Sequence, residues 1–204
     1  PRPLSYGPHV SDDNDLRLCG DPAGKRTLEL GISPAMNAVA LAEQGSKAIA
    51  VDPDSARIAL QRHEAEKAGV RVEFHHGDLA DLGFATSASI DLAIAVGTLA
   101  EVDDLARVLR QVHRVLKPEC PLVVAVPHPV ATMLAAGPAS DPAGTGIGVP
   151  RPYGTRPGRS VSDLFMALHR ANFRVDNLQE LFPLNEPNPM VPSVLVLRAR
   201  KLGV

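Results

Sequence analysis

Leu28-Glu29-Leu30-Gly31-Ile32-Ser33-Pro34-Ala35-Met36 and, one helix length later, Ala48-Ile49-Ala50-Val51-Asp52 decide how this chain is read. An apolar run meets a glycine, a helical stretch ends at Gly45, and a second apolar run ends on a carboxylate. The spacing predicts strand, tight turn, helix, strand. A tight strand-to-helix turn needs a residue without Cβ, which Gly31 supplies. The turn brings a helix N-terminus, with its unpaired N–H groups, up to a ligand. Asp52, 21 residues after Gly31, is one bidentate acceptor for the two hydroxyls of a ribose. The unit reads as a pocket for an adenosine-containing cofactor.

A dinucleotide site wants G-x-G-x-x-G, and only its first glycine stands in Gly31–Met36, so a pyrophosphate has no glycine-lined approach. The second half of the chain narrows the choice. Gly77-Asp78-Leu79 follows a third strand, and residues 90–129 give strand, loop, long helix, a Leu116-Lys117-Pro118 stop and another strand. Together, residues 26–129 resemble a class I S-adenosylmethionine-dependent methyltransferase of the small-molecule type. The resemblance implies an α/β fold: one Rossmann-like domain with a mostly parallel seven-stranded sheet, helices on both faces and an antiparallel last strand. It also implies S-adenosylmethionine as cofactor and in-line displacement at the sulfonium methyl carbon.

By that resemblance Glu29 helps hold the cofactor's amino group, and Val96-Gly97 lies beneath the bound cofactor. Asp52, with Pro53 beside it, takes the ribose. Asp78 accepts from the adenine amine, and Leu79 packs on the ring. The glycine loop departs from the family, whose G-x-G-x-G falls here on Gly31, Ser33 and Ala35. Ser33-Pro34 reads as an N-cap followed by proline at the first helical position, which weakens the grip on the cofactor's methionine end. His128, at the end of the fifth strand, is the candidate general base, needed only if the acceptor must lose a proton. His75 and His76 flank the adenine motif, where at most one points inward. His113 and His169 read as structural or solvated.

Composition removes other classes. The chain has 204 residues, a formal net charge of −2, 3% aromatic residues and no Trp. It carries no basic field and few stacking platforms, so nucleic acid is not an expected partner. Cys19 and Cys120 form no disulfide framework, and no His, Cys, Asp or Glu set has metal-ligand spacing. No run of eighteen apolar residues occurs, and residues 1–15 are polar and proline-bearing, so neither a membrane span nor a leader is expected and the reading is cytoplasmic. Nothing in the sequence points to an oligomeric state.

The expected organisation is one domain over 1–204. Residues 1–25 read as irregular, and residues 128–158, rich in proline and glycine, as a long surface loop. That loop is the candidate lid and acceptor-recognition segment, with Arg151 and Tyr153 as polar groups for a substrate. The clearest helix carries Leu105, Val108, Leu109, Val112, Val115 and Leu116 as one stripe, started by Asp103 or Asp104 and stopped by Pro118. Two other function classes stay open. One is a non-catalytic binding protein on the same fold; the other, a nucleotide-cofactor oxidoreductase, is disfavoured by the missing glycines.

Overall fold

Side chains alternate across each strand, and here that alternation builds two cores. In β1 (Arg26–Leu30) Leu28 and Leu30 join one apolar cluster while Glu29 turns to the other face. In β2 (Lys47–Asp52) Ile49 and Val51 join the first cluster, and the small Ala48 and Ala50 join the second. The computed structural model describes residues 1–134, 152–155 and 158–203.

Among these residues, β3 (Val72–His76), β4 (Leu92–Val96), β5 (Pro121–Pro127), β6 (Phe173–Leu181) and β7 (Val194–Lys201) complete a seven-stranded sheet. Its order is β3-β2-β1-β4-β5-β7-β6. The first five of these pair in parallel, and β7 inserts antiparallel between β5 and β6. The expected mixed sheet, with its inverted last strand, is therefore present. β1 and β4 are neighbours although two strands intervene in sequence. The order reverses there, and an open α/β sheet has its crevice at such a point, outside the carboxyl ends of the strands.

The helices are α1 (Asp13–Leu16), α2 (Asn37–Glu43), α3 (Ser55–Lys67), α4 (Leu105–Val115), α5 (Pro129–Leu134) and α6 (Val161–Arg170). The α4 stripe is buried as its spacing predicts, and the Asp104 carboxylate caps it by accepting from the Arg107 N–H at 2.9 Å. Asp54 starts α3 in the same manner. α4 and α6 cover the cluster containing Leu28 and Leu30, while α2, α3 and the N-terminal segment cover the other. No helix of the described residues is long and apolar enough to cross a membrane.

Two expectations need correction. α2 begins at Asn37, not at Pro34; Met36 precedes it with φ +52° and no side-chain cap, so Ser33 is not its N-cap. Residues 128–158 are not loop throughout, because Pro129–Leu134 is helical; Arg151 and the stretch 135–151 lie outside the described residues. Residues 1–25 hold the short helix α1 and are otherwise irregular, with Leu4, Tyr6, Val10, Leu18 and Cys19 buried. The fully buried Asn37 clamps this segment, its Oδ1 accepting from the Ser5 N–H and its Nδ2 donating to the Ser5 carbonyl, each at 2.9 Å.

Asn37→Ala deletes both bonds and leaves the Ser5 backbone groups without their partners. Urea denaturation should show a loss of about 1–3 kcal/mol, and the Ser5 amide should exchange faster. An unchanged midpoint with an unchanged exchange rate would show that the clamp contributes nothing.

Candidate cofactor and acceptor site

A carboxylate beneath the turn organises the site. Glu29 is fully buried, and its two oxygens accept from five donors. Oε1 takes the Ser33 N–H and hydroxyl at 3.4 Å and the Asn37 N–H at 3.2 Å. Oε2 takes the Ala38 N–H at 2.8 Å and Gln61 Nε2 at 2.7 Å. Burial pushes the Glu29 carboxyl above its ordinary range, against the downward pull of these hydrogen bonds. Glu29 therefore ties β1 to the loop, to α2 and to α3. It does not face the groove to meet an amino group, as the resemblance had implied. The N–H groups at the start of α2 are spent on it, so they are not open to a ligand as the turn suggested.

Gly31 sits at φ +72°, a left-handed conformation that disfavours a Cβ. Its free face is closely covered. A Cβ built there would lie 2.3 Å from Thr98 Oγ1 and 2.4 Å from Thr98 Cγ2. Thr98 follows β4 in a short 3-10 turn, Thr98–Ala100, and packs over the turn of β1 across the point where the strand order reverses. Sequence reasoning missed Thr98, although a place just past the end of β4 marked it as a candidate.

Asp52 stands at the tip of β2 with a fully buried side chain. Oδ2 accepts from the Ile32 N–H at 2.6 Å and Oδ1 from the Asp54 N–H at 2.7 Å. Arg57 Nη1 lies 3.8 Å from Oδ2. A carboxylate has about four acceptor positions, so each oxygen keeps capacity for a hydroxyl. Asp52, Pro53, Leu79, Val96, Gly97 and Thr98 line one cavity of about 720 Å³. Asp78, Leu79 and Val102 line a second, of about 580 Å³. Asp78 is exposed, with Oδ1 accepting from the Ala80 N–H at 2.9 Å, while Leu79 is buried. Of the two neighbouring histidines, His76 lines this second cavity and bonds the Pro53 carbonyl at 2.9 Å; His75 stacks on Phe84. Val102, on the wall of both cavities, is a further residue that the motifs did not flag.

A third cavity, of about 680 Å³, adjoins the first along Ser33, Pro34, Val96, Gly97 and Pro127. Ala35 lies on its wall, as do Tyr6, Gly7 and Pro8 of the N-terminal segment. His128 does not line any of the three cavities. It is 3% exposed, its Nδ1 accepts from the Val130 N–H at 3.2 Å and its Nε2 lies 3.0 Å from Glu180 Oε1. With both ring nitrogens engaged it serves the start of α5 and is not placed as a base. Tyr153 is half exposed and takes the Val161 N–H at 3.4 Å, away from all three cavities. Arg159 instead reaches the groove's edge, donating to the Leu99 and Val102 carbonyls and pinning the approach to α6 there.

Residues 28–124 match the family model described as a methyltransferase domain. A ubiquinone biosynthesis O-methyltransferase of Azorhizobium caulinodans is 28% identical over 114 residues, covering 54% of this chain and 44% of that protein. A probable S-adenosylmethionine-dependent methyltransferase of Mycolicibacterium smegmatis is 30% identical over 112 residues, covering 55% and 42%. This chain thus spans less than half the length of these curated relatives. A solved S-adenosylmethionine-dependent methyltransferase from Mesorhizobium loti superposes with a TM-score of 0.70 at 23% identity, over 92% of this chain and 96% of that one. Residues 28–124 are thus similar to a methyltransferase domain, and the fold of the described residues is that of S-adenosylmethionine-dependent methyltransferases.

S-adenosylmethionine is the cofactor expected from this similarity, and the adenosine half of its site fits on chemical grounds. Asp52 offers acceptor capacity at the tip of β2, Leu79 and Val102 offer apolar walls, and Asp78 Oδ2 offers a second acceptor. The methionine half is leaner in backbone donors. The Ser33 N–H is on Glu29, the Met36 N–H is on the Ser33 carbonyl at 3.0 Å, and Pro34 has none.

Gly31→Ala meets both the positive φ and the Thr98 side chain. Its unfolding free energy should fall by more than about 2 kcal/mol. Adding Thr98→Gly should restore the steric part and leave about 1–2 kcal/mol for the left-handed conformation. A double variant no more stable than the single one would separate Thr98 from the turn.

Proposed function

We propose that the chain transfers the methyl group of S-adenosylmethionine to a small molecule held beside Gly97. One observation carries this reading: the three cavities share walls in series. Pro53 and Leu79 are common to the cavity lined by Asp78 and the cavity lined by Asp52, and Val96 and Gly97 are common to the latter and the third. A cofactor laid with adenine at Asp78 and ribose at Asp52 points its sulfur end toward Gly97, where the acceptor cavity begins. Bound there, S-adenosylmethionine supplies a methyl carbon already activated by the sulfonium leaving group. The work left to the chain is alignment and exclusion of water.

In this reading Asp52 and Pro53 hold the ribose, and Asp78 with Leu79 holds the adenine. Gly31, Ser33 and Ala35 form the loop that the cofactor passes, and Val96-Gly97 is its floor. The N-terminal segment counts as part of the same unit in this reading, because it helps to wall the acceptor cavity. The ubiquinone biosynthesis O-methyltransferases among its relatives support a small-molecule acceptor. The rim carboxylates Asp78, Glu101, Asp103 and Asp104 argue against nucleic-acid phosphate as a partner. A second reading, a non-catalytic binding protein, is favoured only by the loop N–H groups that Glu29 withholds.

Calorimetric titration tests the proposal. S-adenosylhomocysteine should bind, NAD should not, and Asp78→Asn should weaken S-adenosylhomocysteine by about tenfold, or roughly 1.4 kcal/mol. Saturable heat with NAD alone would overturn the reading. Tight S-adenosylhomocysteine binding without methyl transfer to any acceptor would support the second one.

A further inference from the structure

The walls of the third cavity narrow the chemistry of the acceptor. Its surface is made by Pro34, Ala35, Val96, Val126, Pro127 and Val194 among the described residues. Four polar side chains also reach it, and every one already donates its hydroxyl to the protein. Ser5 Oγ donates to the Gly7 carbonyl at 3.1 Å, Ser33 Oγ to Glu29 at 3.4 Å and Ser193 Oγ to the Leu181 carbonyl at 3.4 Å. The Tyr6 hydroxyl donates to the Asp13 carboxylate, and burial pushes the Tyr6 phenol far above its ordinary range. His128, at the end of β5, has both ring nitrogens engaged. The wall is therefore apolar in what it presents, and its hydroxyls are committed elsewhere.

Three acceptor classes behave differently in such a cavity. An alcohol or phenol must hand a proton to a base as it attacks, and the described wall offers none with a free lone pair suited to the task. A neutral amine becomes a cationic ammonium, a charge that apolar walls solvate poorly. A thiolate cancels its charge against the sulfonium, so two ions become two neutral molecules, and apolar surroundings favour that change over water. We propose that the acceptor is an apolar thiol that reacts as its thiolate, a reading that rests on the methyl transfer proposed for this site. The thiol loses its proton to solvent before it attacks. The new S–CH3 bond forms as the methyl–sulfonium bond breaks, and that bond's electron pair stays on the departing sulfur. Thioether and S-adenosylhomocysteine result.

Thiophenol and phenol share a ring and differ in one atom, which makes them a matched pair of probes. A phenol ionises near pH 10 and a simple thiol near about 8.5, with aromatic thiols lower still. With S-adenosylmethionine at pH 8, thiophenol should be methylated and phenol should react at least about a hundredfold more slowly, the contribution of an absent base. Binding supplies a readout that needs no turnover. Thioanisole, the methylated product, should give saturable heat with the chain alone. Ser193→Phe, or Pro8→Trp on the exposed rim, should abolish that heat while S-adenosylhomocysteine affinity stays within about twofold. Phenol turnover matching that of thiophenol would overturn the inference. So would absence of thiophenol turnover in a chain that binds S-adenosylhomocysteine, or thioanisole heat that both substitutions leave unchanged. Failure to bind S-adenosylhomocysteine would instead overturn the cofactor reading beneath it.

Discussion

The buried carboxylate of Glu29 is the constraint on which the rest of this site depends. It lies on the sheet face lined by Ala48 and Ala50, where small side chains leave room for a charged group and its donors. An unpaired carboxylate there would be costly, and five donors from Ser33, Asn37, Ala38 and Gln61 answer it. The same bonds fix where the loop runs and where α2 starts. Two of the three glycines usual in the family's loop are absent, and the carboxylate holds one of their replacements, Ser33, in place from below. Binding is affected too, since donors that hold the loop cannot also hold a ligand.

From that anchor the site assembles outward. Asn37, the first residue of α2, carries the clamp on Ser5, while Glu43 and Gln44 hold Arg2 at the other end of α2, so the N-terminal wall of the third cavity is tied to this helix. Asp52 reaches back to the Ile32 N–H and keeps the tip of β2 against the turn. Thr98 closes over Gly31 from the end of β4, and Arg159 fastens the approach to α6 onto the same stretch through the Leu99 and Val102 carbonyls. The proposed cofactor groove and the proposed acceptor cavity share one framework, and a shift in the loop would be felt in both.

Much of this could be read from the sequence, and for definite reasons. The first strands, the α4 stripe and its Asp104 cap are local patterns with fixed periods or fixed offsets, and each lies close to where its pattern puts it. Asp52 ends β2, and Asp78, Leu79 and Gly97 stand just past strand ends, so topology alone carries them to one edge of the sheet. What failed was non-local. Ser33-Pro34 has the composition of a helix start, but Glu29 draws the Asn37 and Ala38 N–H groups and sets the boundary three residues later. His128 comes after β5 as a catalytic residue would, yet its ring turns to Val130 and Glu180. The burial of Leu4, Tyr6 and Val10 depends on contacts with α2 and β7 that no local pattern announces. Thr98 and Val102 lie just beyond β4, and residues past the carboxyl end of a parallel strand are candidates for the crevice on position alone.

The most direct test is a crystal structure of the chain with S-adenosylhomocysteine. The ribose hydroxyls should lie on Asp52, the adenine between Leu79 and Val102, and the sulfur should face the cavity beside Gly97. Glu29 should still accept from Ser33, Asn37 and Ala38, with the 31–36 backbone unmoved. A Glu29 carboxylate released from the loop to grip the ligand's ammonium, or a ligand bound away from Asp52, would contradict this.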